Sequence, residues 1–481
     1  MEFMMSYSEA SRDPDWIEAM NVEIKALELN NAWVLTDLPK HKSAIGYRWV
    51  YKVKHRSDSS IERYKAKLVA KGYTQVKGHD YLDTFSPVAK LTTVRLLLAL
   101  AAINQWYLKH LDVSNAFLHV HLHGEVYMDI PQGMKVARPE QVCKLQRSLY
   151  GLKQASRQWY ARLSSFLVSH GYKQCASDHS LFIRHGSHRI DVLLVYVDGI
   201  VLSGNNLSEI QRVTHLLDDT FRIKDLGDLR YFPSFEVARS SNGINLCQRK
   251  YALDILNDSS MLGSKPMSTP DYISKLHQHS GLLLSTEEAY SYRRLIGRLI
   301  YLTNARPDIP YAVQHLCQFV TNPTSNHKQA AFQILKYLKG TPGAGIFMSA
   351  ASDSDWVGCI DTIRSITGYA FYIGDSLISW KSKKQATISR SSSKTEYQAL
   401  ASATYELQWL TYLLKEFKIK FHNPVVLYCD NKYALHIAAN LVFRERTKHI
   451  EIDCHIVHEK VLNGLVKLLP ISSANQLANI L

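Results

Sequence analysis

A single carboxylate, Asp198, interrupts the apolar run VLLVYVDGIVLSG at residues 192–204, and a glycine follows it. A second acid, Asp112, ends the short strand-like stretch WYLKHLDV. An Asp at a strand end and another at a hairpin tip make the arrangement that two-metal phosphoryl transfer needs, because two divalent cations must be bridged by carboxylates fixed on rigid neighbouring strands. Spacing alone leaves a plainer alternative open: Asp-Gly is a strong hairpin-turn dipeptide, and Asp198-Gly199 can serve only to turn the chain.

The elements that must position these acids are legible as periodicities. In YRWVYKVKHR, Trp49, Tyr51 and Val53 alternate with Lys52, Lys54 and Arg56; in ERYKAKLVAKG, Tyr64, Ala66 and Leu68 alternate with Arg63, Lys65 and Lys67. Period two puts each apolar set on one face, so residues 47–71 read as a hairpin with a basic face, either a solvated surface or a phosphate-binding one. TVRLLLALAAINQ and RQWYARLSSFLVSHG have helical spacing, and residues 192–204 read as strand, turn, strand. Residues 250–345 are mostly helical and end at Gly340 with Pro342 beyond. Short strands follow in GYAFYIGDSLISWKS, then a helix from Ser393 to Phe417 and the strand PVVLYCD.

Composition sets the outer bounds. The 481 residues suit about three domains of ~150 residues. Lys and Arg outnumber Asp and Glu by 57 to 43, a net charge of +14 that favours a polyanionic partner. The seven cysteines are scattered and form no CxxC pair, which points to a reducing, intracellular setting and away from thiolate zinc. No signal peptide and no apolar run of ~18 residues are expected, hence no membrane partner.

Several strings together carry a family resemblance. WVYKVKHRSDSSIERYKAKLVAKGYTQVKGHDYLDTFSPVAK, LDVSNAFLHVHLHGEVYMDIPQG, SLYGLKQASRQWY and LLVYVDGIVLSG resemble the reverse transcriptase of copia-type retrotransposons, especially plant ones; SDSDWVG, SWKSKKQ, TEYQALA, LYCDNKYAL and RTKHIEIDCHIVHEKV resemble that family's ribonuclease H domain. The resemblance implies an α+β and α/β multidomain chain: a right-hand polymerase with fingers, palm and thumb or connection, followed by a ribonuclease H-like α/β domain. The expected division is an N-terminal lead-in at 1–30, fingers and palm at 31–270, a helical thumb or connection at 271–345, and a C-terminally truncated ribonuclease H-like domain at 346–481. It also implies that gag, protease and integrase are absent from this chain.

Carried over residue by residue, Asp112 matches the family's first metal-binding aspartate and Asp198 the first aspartate of its Tyr-Val-Asp-Asp hairpin; the second is Gly199 here. Phe117 matches the aromatic that excludes the ribose 2′-hydroxyl. Lys65 and Lys67 fall where the family presents cations to the incoming nucleotide, without deciding between them. Arg63, Gly151 and Lys153 fall in segments expected to contact nucleic acid. Asp353, Glu396 and Asp430 match three of four ribonuclease H carboxylates, and the fourth position is Asn479. Glu396 has a second reading, since Ser393-Lys394-Thr395-Glu396 is a capping box. The His-rich stretch with His449, Asp453, His455 and His458 matches a family strand that holds no metal. Pro233 is expected to cost a strand hydrogen bond.

The implied chemistry is RNA- and DNA-templated addition of dNTPs with two Mg²⁺ per active site, Mn²⁺ being able to substitute, together with cleavage of the RNA strand of RNA–DNA hybrids. RNA template, DNA primer, hybrid and dNTPs are the implied partners, and the implied setting is a cytoplasmic virus-like particle or the nucleus. Gly199 and Asn479 imply a decayed copy with an impaired polymerase. The alternative is a catalytically dead remnant that only binds nucleic acid.

Overall fold

The structure is a computed structural model that describes residues 2, 3, 5–56, 60–122, 124–134, 138, 140–233, 235–270, 276–351, 356–361, 366–384, 392–419, 424–439 and 451–472. Helix α1 (Pro14–Leu29) starts on Asp13, whose carboxylate accepts from the Asp15 N–H, with proline in the first turn. Its apolar stripe, Trp16, Met20, Ile24 and Leu27, is buried. The stripe lies on the apolar face of the hairpin formed by β1 (Tyr47–His55) and β2 (Ile61–Ala70), which pair antiparallel with Trp49 opposite Leu68. Trp16 meets Tyr51 and Tyr64 edge-on at 5.2 and 4.6 Å. The stretch expected to be a lead-in thus supplies one wall of the hairpin's core.

The next elements are α2 (Leu91–Ile103), β3 (Tyr107–Val113), α3 (Ala155–Ser169), β4 (Leu181–His185), β5 (Ile190–Tyr196), β6 (Gly199–Gly204), α4 (Leu207–Phe221) and β7 (Ile223–Asp228). They build an antiparallel sheet of order β7-β3-β6-β5-β4, extended by Lys173–Gln174. The apolar run of the opening motif is explained by two cores. Val192, Leu194 and Val201 face the cluster that contains α2, whereas Leu193, Ile200 and Leu202 face the cluster that contains α3 and α4. A strand covered on both faces has no polar alternation to show.

Strands β8 (Phe235–Ser240) and β9 (Gly243–Cys247) precede helices α5 (Arg249–Asp258), α6 (Thr286–Leu302), α7 (Pro310–Cys317) and α8 (Ser325–Gly340), after which β10 (Gly345–Ser349) returns to pair with β9. The four helices share one core, so by packing α5 belongs with the helices beyond residue 270. Position 346 likewise falls inside β10. Pro233 costs no ladder bond, because it lies in the turn between Tyr231–Phe232 and β8, where Phe232 pairs with Phe235.

The remaining elements are β11 (Trp356–Asp361), β12 (Ile366–Ile373), β13 (Ser376–Lys384), α9 (Ser392–Glu416), β14 (Val425–Cys429), α10 (Lys432–Ala439), α11 (Glu451–Leu462) and β15 (Val466–Pro470). Their sheet has order β13-β12-β11-β14-β15, with antiparallel pairs up to β11 and parallel pairs from there on. Helix α9 begins at Ser392, so Ser393 lies within the helix and not ahead of it as a capping residue. The His-rich stretch is also corrected: from Glu451 it is helical, not a strand.

A buried cation joins this last sheet to the rest. Arg95, in the middle of α2 and 4% exposed, donates to the Asn304 carbonyl at 2.9 Å and the Ile378 carbonyl at 3.3 Å, and stacks 3.7 Å from the Trp380 ring centre. Burial pulls its pKa down, with Glu406 opposing, yet a guanidinium keeps its proton in proteins. Trp409 adds a hydrogen bond to the Ser177 carbonyl, and Lys90 lies 4.2 Å over its ring.

Candidate active site

Strand register brings the two acids together. Tyr196 pairs with Gly199, which leaves Val197 and Asp198 as the two-residue turn, and Gly199 in turn pairs with Asp112 on β3. Gly199 is therefore a strand residue, and the reading of Asp198-Gly199 as the turn dipeptide is overturned. The turn is made by Val197, whose φ of 57° is strained for a β-branched side chain. Two bonds hold it: Trp159 Nε1 donates to the Val197 carbonyl at 2.8 Å and the Val113 N–H to the Asp198 carbonyl at 2.9 Å. Asp112 and Asp198 are both half-buried. Burial first, and then the charge of Asp198, raise the pKa of Asp112. Such a pair suits a divalent cation, which would relieve both effects.

Gly199 leaves room for a side chain. A Cβ there would sit 3.5 Å from the Tyr196 carbonyl oxygen, 3.8 Å from His110 Nε2 and 4.0 Å from Phe232 Cε2, all ordinary contacts. His110 is held neutral-leaning by burial, against the pull of Asp112.

A cation and two aromatic rings face the acids. Lys67 Nζ donates to Asn115 Oδ1 at 3.0 Å and lies 3.9 Å over the Tyr150 ring. Tyr150 donates to Asp198 Oδ2 at 3.3 Å and meets Phe117 edge-on at 4.5 Å. Phe117 itself is buried. Burial, followed by the charge of Asp198, raises the Tyr150 pKa, so it donates and does not compete as an anion. Arg63 and Lys65 are exposed, whereas Lys67, on the same face of β2, is partly buried against Asn115 and Tyr150.

Gly151 has an intramolecular reason to be glycine. Its φ is 92°, and a Cβ would lie 2.8 Å from Val69 Cγ1 and 3.1 Å from the Ala70 carbonyl carbon, with the carbonyl oxygen nearer still. The Ala70 N–H donates to the Tyr150 carbonyl at 2.8 Å, so the close approach is of β2 to the 149–152 segment. Lys153 is exposed, with its N–H bound to Gln75 Oε1 at 2.9 Å.

Asp430 follows the end of β14, beside β11 and β15. Glu396 lies in the first turns of α9 with its side chain outside the described residues, as are Asp353, His449 and Asn479. Burial raises the pKa of Asp453, and His458 Nδ1 lies 3.3 Å from the Ala438 carbonyl. Asn115 and Tyr150 were not singled out from the sequence. The signals were thin: Asn tolerates the left-handed φ of 52° that position 115 adopts, and Tyr150 merely precedes a glycine.

Comparison with known proteins gives this geometry its context. Residues 30–273 match the family model described as reverse transcriptase (RNA-dependent DNA polymerase). The chain is 43% identical to the retrovirus-related Pol polyprotein from transposon RE1 of Arabidopsis thaliana over 98% of its own length and 33% of that protein. It is 36% identical to the corresponding polyprotein from transposon TNT 1-94 of Nicotiana tabacum, over 97% of this chain and 36% of the relative. The chain thus spans about a third of the length of these relatives. Among solved structures, the foamy viral protease-reverse transcriptase dRH in complex with double-stranded DNA aligns with a TM-score of 0.54 at 12% identity, over 95% of this chain and 69% of that one. The foamy viral protease-reverse transcriptase in complex with an RNA/DNA hybrid aligns with a TM-score of 0.53 at 13% identity, over 96% of this chain and 54% of that one. The architecture is that of a retroviral-type polymerase with mixed α and β content. With half its length in the matched domain and plant polyproteins similar along nearly all of it, the chain belongs to the reverse transcriptase family, as part of a plant copia-type Pol polyprotein.

Proposed function

We propose that this chain performs templated addition of dNTPs to a primer at Asp112 and Asp198, with a polymerase impaired at Gly199. The observation that carries the reading is the pairing of β3 with the β5–β6 hairpin, which sets two half-buried carboxylates side by side below Lys67 and the Phe117–Tyr150 rings. Asp112 and Asp198 would hold the metal. When bound, Mg²⁺ supplies charge neutralisation at the triphosphate and acidifies the primer 3′-hydroxyl. Lys67 meets the phosphates, Phe117 closes the ribose side, and Trp159 keeps the strained turn in place. Primer extension on poly(rA), first with Mg²⁺ and then with Mn²⁺, is the test. Activity that survives Asp112→Asn undiminished defeats the assignment.

RNA template, DNA primer and hybrid are the proposed macromolecular partners. The exposed cations of the hairpin are expected to set the salt dependence of hybrid binding. Replacing Arg63, Lys65 and Lys67 together by Ala should flatten the plot of log affinity against log salt by about 0.9 for each phosphate left without its cation. An unchanged slope means that the phosphates lie against another surface.

A second activity is favoured by a separate observation. The order β13-β12-β11-β14-β15, with the antiparallel-to-parallel switch at β11 and Asp430 at the end of β14, is the layout expected of a ribonuclease H-like domain. Asp353, Glu396 and Asp430 are the proposed carboxylates, with Asn479 as a neutral fourth ligand. Slow Mn²⁺-supported cleavage of an RNA–DNA hybrid is expected, abolished by Asp430→Asn and improved by Asn479→Asp. Cleavage that Asp430→Asn leaves unchanged belongs to a contaminant.

A further inference from the structure

Tyr150 meets three parts of the site at once. Its ring lies under the Lys67 ammonium at 3.9 Å and edge-on to Phe117 at 4.5 Å, with the two planes 64° apart, and its hydroxyl donates to Asp198 Oδ2 at 3.3 Å. A cation over its face, a second ring against it and a bond at its tip leave this side chain little room to turn. The backbone under it is fixed as well. The Ala70 N–H donates to the Tyr150 carbonyl, and Gly151 is packed against Val69 and Ala70. Phe117 is held differently: it stands in one turn of 3-10 helix, Ala116–His119, entered through the left-handed Asn115. Such short turns have poor hydrogen-bond geometry, so the position of the Phe117 ring depends on what packs beside it. Among the described residues, the ring it meets is that of Tyr150.

We propose that Tyr150 is a positioning residue that sets specificity for the sugar of the incoming nucleotide: its pinned ring fixes where Phe117 stands, and so how firmly a ribose 2′-hydroxyl is turned away. The inference deepens the polymerase reading and rests on it, since there Phe117 closes the ribose side. An apolar wall rejects one added hydroxyl only about 100-fold, so a wall that gives way slightly loses much of its discrimination. A phenylalanine alone in a short turn gives way. One braced by a ring that is itself fixed to Lys67 of the hairpin and to Asp198 does not.

The first test reads binding without chemistry. The full chain is bound to a primer–template whose primer ends in a dideoxynucleotide, Ca²⁺ replaces Mg²⁺, and the matching dNTP and rNTP are each titrated against survival of the complex in a gel shift. Tyr150→Leu removes the ring and should cut the preference for dNTP over rNTP about tenfold. Tyr150→Phe keeps the ring under Lys67 and against Phe117, and should retain most of it. A ratio measured on one protein does not depend on the fraction that folds. An unchanged preference in Tyr150→Leu overturns the inference, and so does an equal loss in Tyr150→Phe, because the ring would then not be what matters. If the parent chain binds neither nucleotide, the polymerase reading fails and the inference falls with it. The second test uses single-nucleotide incorporation in the Gly199→Asp background and compares kcat/KM for dNTP and rNTP. Phe117→Ala should lower the ratio at least as far as Tyr150→Leu does, and adding Tyr150→Leu to it should lower it no further. The same loss from Tyr150→Leu with Phe117 already removed means that Tyr150 meets the sugar itself, and the positioning role is overturned. A ratio that Phe117→Ala leaves unchanged overturns both the place of Phe117 and the inference, while extension by the Gly199→Asp protein still upholds the polymerase.

Discussion

Gly199→Asp should raise primer extension at least about tenfold, equivalent to ~1.4 kcal/mol of barrier. Position 199 is next to Asp198 in sequence and directly across from Asp112 in register, so a carboxylate there adds negative charge at the edge of the proposed metal-holding pair. The site accepts the side chain: the nearest neighbours of a new Cβ are at 3.5 Å or beyond, and the backbone lies outside the left-handed region. His110 Nε2, 3.8 Å from that Cβ, gives the carboxylate an adjacent ring nitrogen. The turn needs no change, because Val197 and Asp198 make it. Rates are read under single-turnover conditions, with Asp198→Asn in the same background as the control that should silence extension. If the reverted protein folds, binds primer–template and extends no faster, the missing acid is not what limits this polymerase.

Gly151→Ala is expected to be the most damaging single-methyl addition near the site. The new Cβ would collide with the backbone of Ala70 and with Val69, and an L side chain at φ 92° is strained even in open space. Relief requires β2 to move from the 149–152 segment and breaks the Ala70 to Tyr150 hydrogen bond. A loss of roughly 3 kcal/mol or more in stability is expected, read by denaturant unfolding of the full chain. The same movement would carry Lys67 off Tyr150, so extension should fall with it. Had the glycine served only a passing nucleic acid, the substitution would weaken primer–template binding and leave unfolding unchanged, and that result would defeat the intramolecular role.

Local patterns made much of the fold readable, while the contacts between distant segments did not show. The alternation of Trp49, Tyr51 and Val53 with lysines gave the hairpin directly, because one face is buried and the other wet. The buried β5–β6 run also reads as strands, but not which core each residue enters, since that depends on how α2, α3 and α4 pack on the two faces of the sheet. Asp112 and Asp198 could be paired on resemblance, yet spacing alone could not decide between metal ligand and turn; the register settles that Asp198 is in the turn and Gly199 is not. The resemblance put the His-rich stretch on a strand, and the alternation of Ile450, Ile452, Cys454 and Ile456 with polar residues does nothing to correct that, yet the chain from Glu451 to Leu462 is a helix. Arg95, in a helix otherwise rich in leucine and alanine, is a charge on a buried face, which had to have a partner elsewhere.

Arg95 also bears on how this molecule comes apart. Its guanidinium is bonded to carbonyls of two other segments and stacked on Trp380, so separating the last sheet from α2 would strand a charge in apolar surroundings. That cost falls on the first increment of opening and is not spread along the interface. Polymerase-like and C-terminal units joined in this way are expected to melt in one cooperative transition, not as beads on a string, and a protease that cuts between them should leave two fragments still associated.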